Sequence, residues 1–155
     1  MADGADITLR RAGPADAAAI AALTRAAYEK WVAVLGRAPK PMTAHYDVAV
    51  RDHLIELLEV DGQLMGLVEC IAEPDHLLIE NLAVSPAAQR RGYGHRLMAH
   101  AEDLARSLGV GEVRLYTNKL FAENVDFYKR LGYHLDGESA YLGGVIVHMS
   151  KRIGG

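Results

Sequence analysis

The stretch Leu77-Leu78-Ile79-Glu80-Asn81-Leu82-Ala83-Val84-Ser85-Pro86, followed at once by Gln89-Arg90-Arg91-Gly92-Tyr93-Gly94, decides how this chain is read. Residues 77–84 are apolar except Glu80 and Asn81, which reads as a buried strand that Ser85-Pro86 ends. From Tyr93 onward Leu97, Met98, Ala101, Leu104, Ala105 and Leu108 recur at helical spacing, and Gly109 stands where a C-terminal cap belongs. The glycine-containing stretch therefore leads from a strand into a helix N-terminus. Such a terminus leaves backbone N–H groups unpaired and carries partial positive charge, so it suits an anion such as a phosphate. Gly92 and Gly94 have no Cβ to obstruct a close approach.

Two familiar phosphate loops are excluded by single positions. A dinucleotide fingerprint needs G-x-G-x-x-G/A, yet Leu97 occupies its last position, and the Gly-Lys-Ser/Thr of a P-loop is absent. What stands here is Q-x-x-G-x-G after a strand ending in Leu-Ala-Val-Ser-Pro. In this the sequence resembles the GNAT superfamily of acyl-CoA-dependent N-acetyltransferases, whose members hold the coenzyme A pyrophosphate on this loop. Downstream, Val113-Arg114-Leu115-Tyr116-Thr117-Asn118 reads as the next strand. Asn124-Val125-Asp126-Phe127-Tyr128 then lies on a helix that ends in Leu131-Gly132-Tyr133, similar to the family's Asn/Tyr helix and Leu-Gly-Tyr segment. The resemblance covers about residues 60–152 and is looser in the first third.

Composition fits a single domain over residues 1–155. Half of the 155 residues are hydrophobic, enough for one core and too few for two ordinary domains. A net charge of −3 gives no sign of a nucleic-acid or membrane-surface partner, and no apolar run approaches spanning length. The lone Cys70 cannot form an internal disulfide, and the acidic opening lacks the basic-then-apolar character of a leader. The expectation is a cytoplasmic protein.

Strands are expected at 7–10, 54–60, 63–72, 77–84, 113–118, 133–135 and 145–151, with Asp61-Gly62 a strong hairpin signal between the second and third. Helices are expected from Pro14, where Ile20, Leu23, Ala27 and Trp31 keep helical spacing, around 44–50, from Tyr93 and from Asn124. This alternation predicts a mixed α/β fold. The resemblance implies the GNAT version of it: a central, mostly antiparallel mixed sheet with helices on both faces. A V-shaped splay between the strands ending at Val84 and Asn118 would then receive the pantetheine arm.

The resemblance also implies a reaction, direct transfer of the acetyl group of acetyl-CoA to a primary amine with no acyl-enzyme. Tyr128 is the implied general acid and Asn124 an implied coenzyme contact. A phenol with an ordinary pKa near 10 is protonated at neutral pH and can serve a departing thiolate. Gln89, Arg90, Arg91, Gly92, Tyr93, Gly94 and His95 form the implied pyrophosphate loop, to which Arg90, Arg91 and Arg96 add charge. Leu82, Ala83 and Val84 match the family's bulged segment, whose main-chain N–H faces the acetyl carbonyl. Glu80, isolated among apolar neighbours, is either the base that accepts the amine proton or a structural carboxylate paired with an arginine.

Trp31, Arg37, Pro39, Met42, Tyr46 and Tyr141 fall on the acceptor side, with Trp31 reading as packing. No acidic cluster marks a polyamine acceptor. His95 and His100 form no zinc pattern, so no metal is expected, and Cys70 reads as a small core residue. A homodimer is expected through the apolar segment 143–149. A catalytically silent acyl-CoA sensor and an interaction subunit are the alternative functions.

Overall fold

The computed structural model describes residues 6–154. Residues 1–5 of the acidic opening Met1 to Asp6, on which the expectation of no leader rests, lie outside the described residues. Seven strands form one sheet: β1 (Ile7–Arg11), β2 (Leu54–Val60), β3 (Gln63–Ala72), β4 (Leu77–Val84), β5 (Glu112–Asn118), β6 (His134–Tyr141) and β7 (Gly144–Arg152). Their order is β1-β2-β3-β4-β5-β7-β6, and every neighbouring pair is antiparallel except β4 and β5. The helices are α1 (Ala17–Leu35), a four-residue α2 (Lys40–Thr43) that the sequence did not announce, α3 (Tyr46–Asp52), α4 (Tyr93–Ser107) and α5 (Ala122–Arg130). This is the mixed sheet with helices on both faces that the sequence predicts. None of the described helices is long and apolar enough to cross a membrane.

Each face has its own core. Ile20, Leu23, Ala27, Tyr46 and Ala49 from α1 and α3 pack with Ile55, Leu57, Leu67 and Ala83. On the other face Leu97, Met98, Ala101 and Ala105 of α4 and Tyr128 of α5 cover Leu58, Val68, Leu77, Ile79, Val113, Leu115 and Met149. The i, i+4 repeat of α4 is thus a sheet-facing stripe, and the helix ends as expected, with Gly109 donating to the Arg106 carbonyl and Val110 to that of Ala105. Leu97 is fully buried, and a Cβ on Gly66 would lie 2.9 Å from its Cδ1. Leu97→Ala should therefore lower unfolding stability by about 2–5 kcal/mol, read as a fall in the urea midpoint at constant m.

Strand β4 carries the feature that shapes the site. Its register with β3 pairs Ile79 with Cys70 and Asn81 with Glu69, which leaves Glu80 as the extra residue of a β-bulge. The bulge shifts the alternation by one position. Leu77 and Ile79 face α4 before it, as Leu82 and Val84 do after it, while Asn81 and Ala83 turn toward α1. The sequence reading placed the bulge at Leu82, Ala83 and Val84, but those residues pair regularly with Val68, Leu67 and Gly66. The two polar residues that interrupt the apolar run are where the strand changes face.

Two further expectations change at the C-terminal end. The segment 143–149 was to pair or pack with a second copy; β7 lies between β5 and β6, so its backbone is occupied on both sides, strand pairing through it is closed, and the free sheet edges are β1 and β6. Tyr141 was read as starting a loop, but β6 runs to it and turns into β7 through Leu142 and Gly143, both with positive φ.

Candidate active site

Strands β4 and β5 pair only over Leu77–Ile79 and Val113–Leu115. Beyond that point they diverge, and Glu80 and Tyr116 are the first residues past the split. Tyr116 Oη donates to Glu80 Oε1 at 2.9 Å, and Lys40 Nζ lies 3.1 Å from Glu80 Oε2. Burial, followed by the negative charge of Glu80, pushes the Tyr116 phenol up to about 12. Burial is the largest single influence on the Lys40 ammonium and works against it, but the hydrogen bonds and charges of Glu80 and Tyr116 together outweigh it, so its pKa is raised. Glu80 is thus a paired carboxylate held by a lysine and a tyrosine, where the sequence offered an arginine.

A cavity of about 410 Å³ opens at this split. Arg37, Pro39, Tyr46 and Tyr141 of the expected acceptor side line it, together with Glu80. Trp31 and Met42 do not. Trp31 stacks on Phe121 with ring centroids 4.2 Å apart, as the packing role required. The sequence missed Tyr28, Lys40, His53, Glu69, Asn81 and Tyr116, all of which face this space. It also found no acidic cluster, whereas the fold brings Asp52, Glu69 and Glu80 to one cavity from three separate elements.

The bulge holds this wall together. Asn81 accepts a hydrogen bond from Tyr28 Oη at 2.8 Å and points its amide at Thr24 and Tyr46, while Tyr46 Oη donates to the Pro41 carbonyl at 2.7 Å. Burial pushes the Tyr46 phenol up to about 12. Opposite Asn81, Glu69 is 3% exposed and its Oε2 lies 2.6 Å from His53 Nδ1. Burial raises the Glu69 carboxyl, and the His53 contact opposes that rise. Every one of these groups is protonated or paired, so the wall is preorganised rather than awaiting a ligand to order it.

The glycine-rich loop follows the C-terminal, diverging end of β4. Gly92 is the N-cap residue of α4 with φ 82°, and no side chain caps the helix, so its first amides are open to a ligand. Gly94 packs under Phe127, whose Cζ would lie 3.2 Å from a Cβ there. Gln89, Arg90, Arg91 and His95 are exposed, and Gln89 Nε2 reaches back to the Val84 carbonyl at 3.4 Å. Tyr93 differs from its neighbours: it is buried in the α4-side core, so its side chain is packing and not a ligand contact. On the β5 side the backbone of β4 from Glu80 to Val84 has no strand partner.

Tyr128 and Asn124 both lie on α5. Asn124 is half-buried. The Tyr128 ring sits in the core against Phe127 and Tyr133, at centroid distances of 5.3 and 6.1 Å. Among the described residues its hydroxyl has no hydrogen-bond partner and no fully buried side-chain oxygen lacks one, so this oxygen reaches the accessible surface. Burial raises its pKa above the ordinary phenol value, and it stays protonated at neutral pH. Cys70 is fully buried with its thiol pushed up to about 12, which suits a core residue and not a nucleophile.

Comparison with known proteins places the chain in a family. Residues 20–133 match the family described as Acetyltransferase (GNAT) family. The chain is 38% identical over 128 residues to an amino-acid acetyltransferase of Neisseria meningitidis, covering 79% of this chain and 28% of that protein. It is 35% identical over 79 residues to the streptothricin acetyltransferase of Streptomyces lavendulae, covering 50% of this chain and 42% of that protein. The chain thus spans less than half the length of either relative. The fold is shared with the PaiA N-acetyltransferase of Thermoplasma acidophilum, solved in complex with coenzyme A, at TM-score 0.75 and 18% identity over 95% of this chain and 99% of that one. The chain belongs to the GNAT family of acetyltransferases.

Proposed function

We propose that this protein transfers the acetyl group of acetyl-CoA directly to a primary amine held in the cavity at the β4–β5 split. The observation that carries the reading is that split itself: pairing of the two strands stops at Ile79 and Leu115, and the next residue on each strand lines the cavity. The coenzyme would lay its pyrophosphate on the amides at residues 92–95 and its thioester in the split, where the free edge of β4 offers N–H groups to the developing oxyanion. Tyr128 donates a proton to the leaving thiolate, and Asn124 contacts the coenzyme.

The acceptor is an amine of modest size. A cavity of about 410 Å³ suits an amino-acid-sized molecule. Arg37 lines it half-buried and has no ion-pair partner among the described residues, so an acceptor carrying a carboxylate beside its amine fits. The amino-acid acetyltransferase among the relatives is in keeping with this.

Glu80 receives the acceptor's ammonium. Both of its oxygens are already hydrogen-bonded, which favours a fixed negative charge over a proton shuttle. Glu80→Gln should therefore raise KM for the amine about tenfold, the order expected when one charge-assisted hydrogen bond weakens, and leave the acidic limb of the pH–rate profile in place. An acidic limb that moves or disappears in this variant would make Glu80 the base. Isothermal titration tests the coenzyme half of the reading: acetyl-CoA and coenzyme A should bind one per chain, and absence of binding would end it. Binding without turnover on any amine would instead identify a silent acyl-CoA sensor.

A further inference from the structure

We infer that His53, oriented by the buried carboxylate of Glu69, is the base that takes the acceptor's proton. This rests on the acetyl-transfer reading above and adds a residue pair to it. Glu69 sits on β3 directly opposite the bulge, and its Oε2 lies 2.6 Å from His53 Nδ1. An ionised carboxylate only accepts hydrogen bonds, so the shared hydrogen belongs to Nδ1 and the neutral imidazole keeps its lone pair on Nε2. Nε2 has no partner among the described residues, and the ring, with its side chain 28% exposed, lines the cavity. This is the arrangement of a base whose tautomer and orientation are set by a third group. By contrast Glu80, the other carboxylate near the split, has both oxygens engaged.

The proton balance closes with this pair. An ammonium acceptor first gives one proton to His53 Nε2, directly or through a water. The freed nitrogen lone pair then forms the C–N bond at the thioester carbonyl carbon. The C–S bond breaks with its electron pair on sulfur, which takes a proton from Tyr128. The second proton on the attacking nitrogen restores the Tyr128 phenol by way of solvent, and the imidazolium releases its own to water. The products are the amide, the free thiol of coenzyme A and one proton.

The ionisable groups that share the cavity with His53 are His45, Tyr46 and Asp52 around α3, Arg37 and Lys40 before and on α2, Tyr28 of α1, Glu69 of β3, Glu80 of β4, Tyr116 of β5 and Tyr141 of β6. Of these only Glu69 is bonded to the imidazole. Removing the Glu69 carboxylate leaves the Nδ1 hydrogen without the acceptor that fixes the ring's tautomer and orientation.

The test is the pH dependence of thiol release from acetyl-CoA, with whichever amine in a panel of free amino acids and simple primary amines the wild type accepts. His53→Asn keeps an amide N–H for Glu69 but has no basic nitrogen. It should lose about 10²-fold in kcat/KM at pH 7, keep its thermal shift with acetyl-CoA, and recover as pH rises and the amine becomes neutral unaided. Added imidazole should restore part of the activity of His53→Ala, and Glu69→Gln, which loses the carboxylate that orients the ring, should lower kcat while leaving the acetyl-CoA thermal shift in place. Wild-type turnover combined with an unchanged profile in His53→Asn overturns the dyad and leaves the acetyl-transfer reading standing. A wild type that binds acetyl-CoA but acetylates no amine overturns that reading, and the role of His53 with it.

Discussion

Tyr128→Phe is expected to lower kcat about 10²–10⁴-fold, the range typical of a positioned proton donor, while the thermal shift produced by acetyl-CoA stays as in the wild type. Phenylalanine preserves the edge-on ring contacts with Phe127 and Tyr133. The lost hydroxyl has no hydrogen-bond partner among the described residues, so its removal strands no buried group and should change stability little. In the proposed mechanism what is removed is a donor for sulfur. Burial raises the phenol's pKa, which keeps it protonated at neutral pH. Steady-state kinetics with saturating acetyl-CoA decide the matter, and full activity would mean that the thiolate leaves unassisted.

The second large effect is expected at the helix start. Replacing Gly92 and Gly94 together with leucine should abolish the acetyl-CoA thermal shift. At Gly92 the obstacle is backbone, because a φ of 82° strains any side chain by about 1–2 kcal/mol. At Gly94 it is packing, because a Cβ would stand 3.2 Å from the Phe127 ring and push α5 away from α4. Either change displaces the open amides that a pyrophosphate needs. Circular dichroism of the apo variant separates this from unfolding. A folded variant with an undiminished shift would place the coenzyme elsewhere.

The half of the site that was legible in the sequence is the half built from contiguous residues. The buried strand, its Ser-Pro stop, the glycine pair and the amphipathic helix follow one another within about thirty residues, and each carries its own local signal. The acceptor half is assembled from residues far apart in the chain. His53 and Glu69 are separated by 16 positions and Tyr28 and Asn81 by 53, and no local pattern links either pair. What joins them is the bulge at Glu80, which turns Asn81 toward α1. Its sequence mark was the Glu-Asn pair within an apolar run, which reads equally well as a catalytic carboxylate.

Strand β6 shows a different limit. His134-Leu-Asp-Gly-Glu-Ser-Ala-Tyr141 is exposed at every position, so it has no buried face to impose alternation. Its turn places Leu142 at φ 47°, a conformation that leucine rarely takes and that no turn rule would assign to it. Both the length of β6 and the interior position of β7 were hidden for that reason, and with them the fact that the apolar closing segment has no free edge to offer a second copy.

The most direct test of acetyl transfer is release of free thiol from acetyl-CoA by the purified wild-type chain. It should be measured with each of a broad panel of amino acids, simple primary amines and peptide N-termini, the acetylated product being confirmed by mass spectrometry. The predicted result is thiol release that depends on one class of amine, yields one acetylated product per thiol, and is lost in the Gly92 and Gly94 double variant. Binding of acetyl-CoA with no amine-dependent release across the whole panel would contradict it.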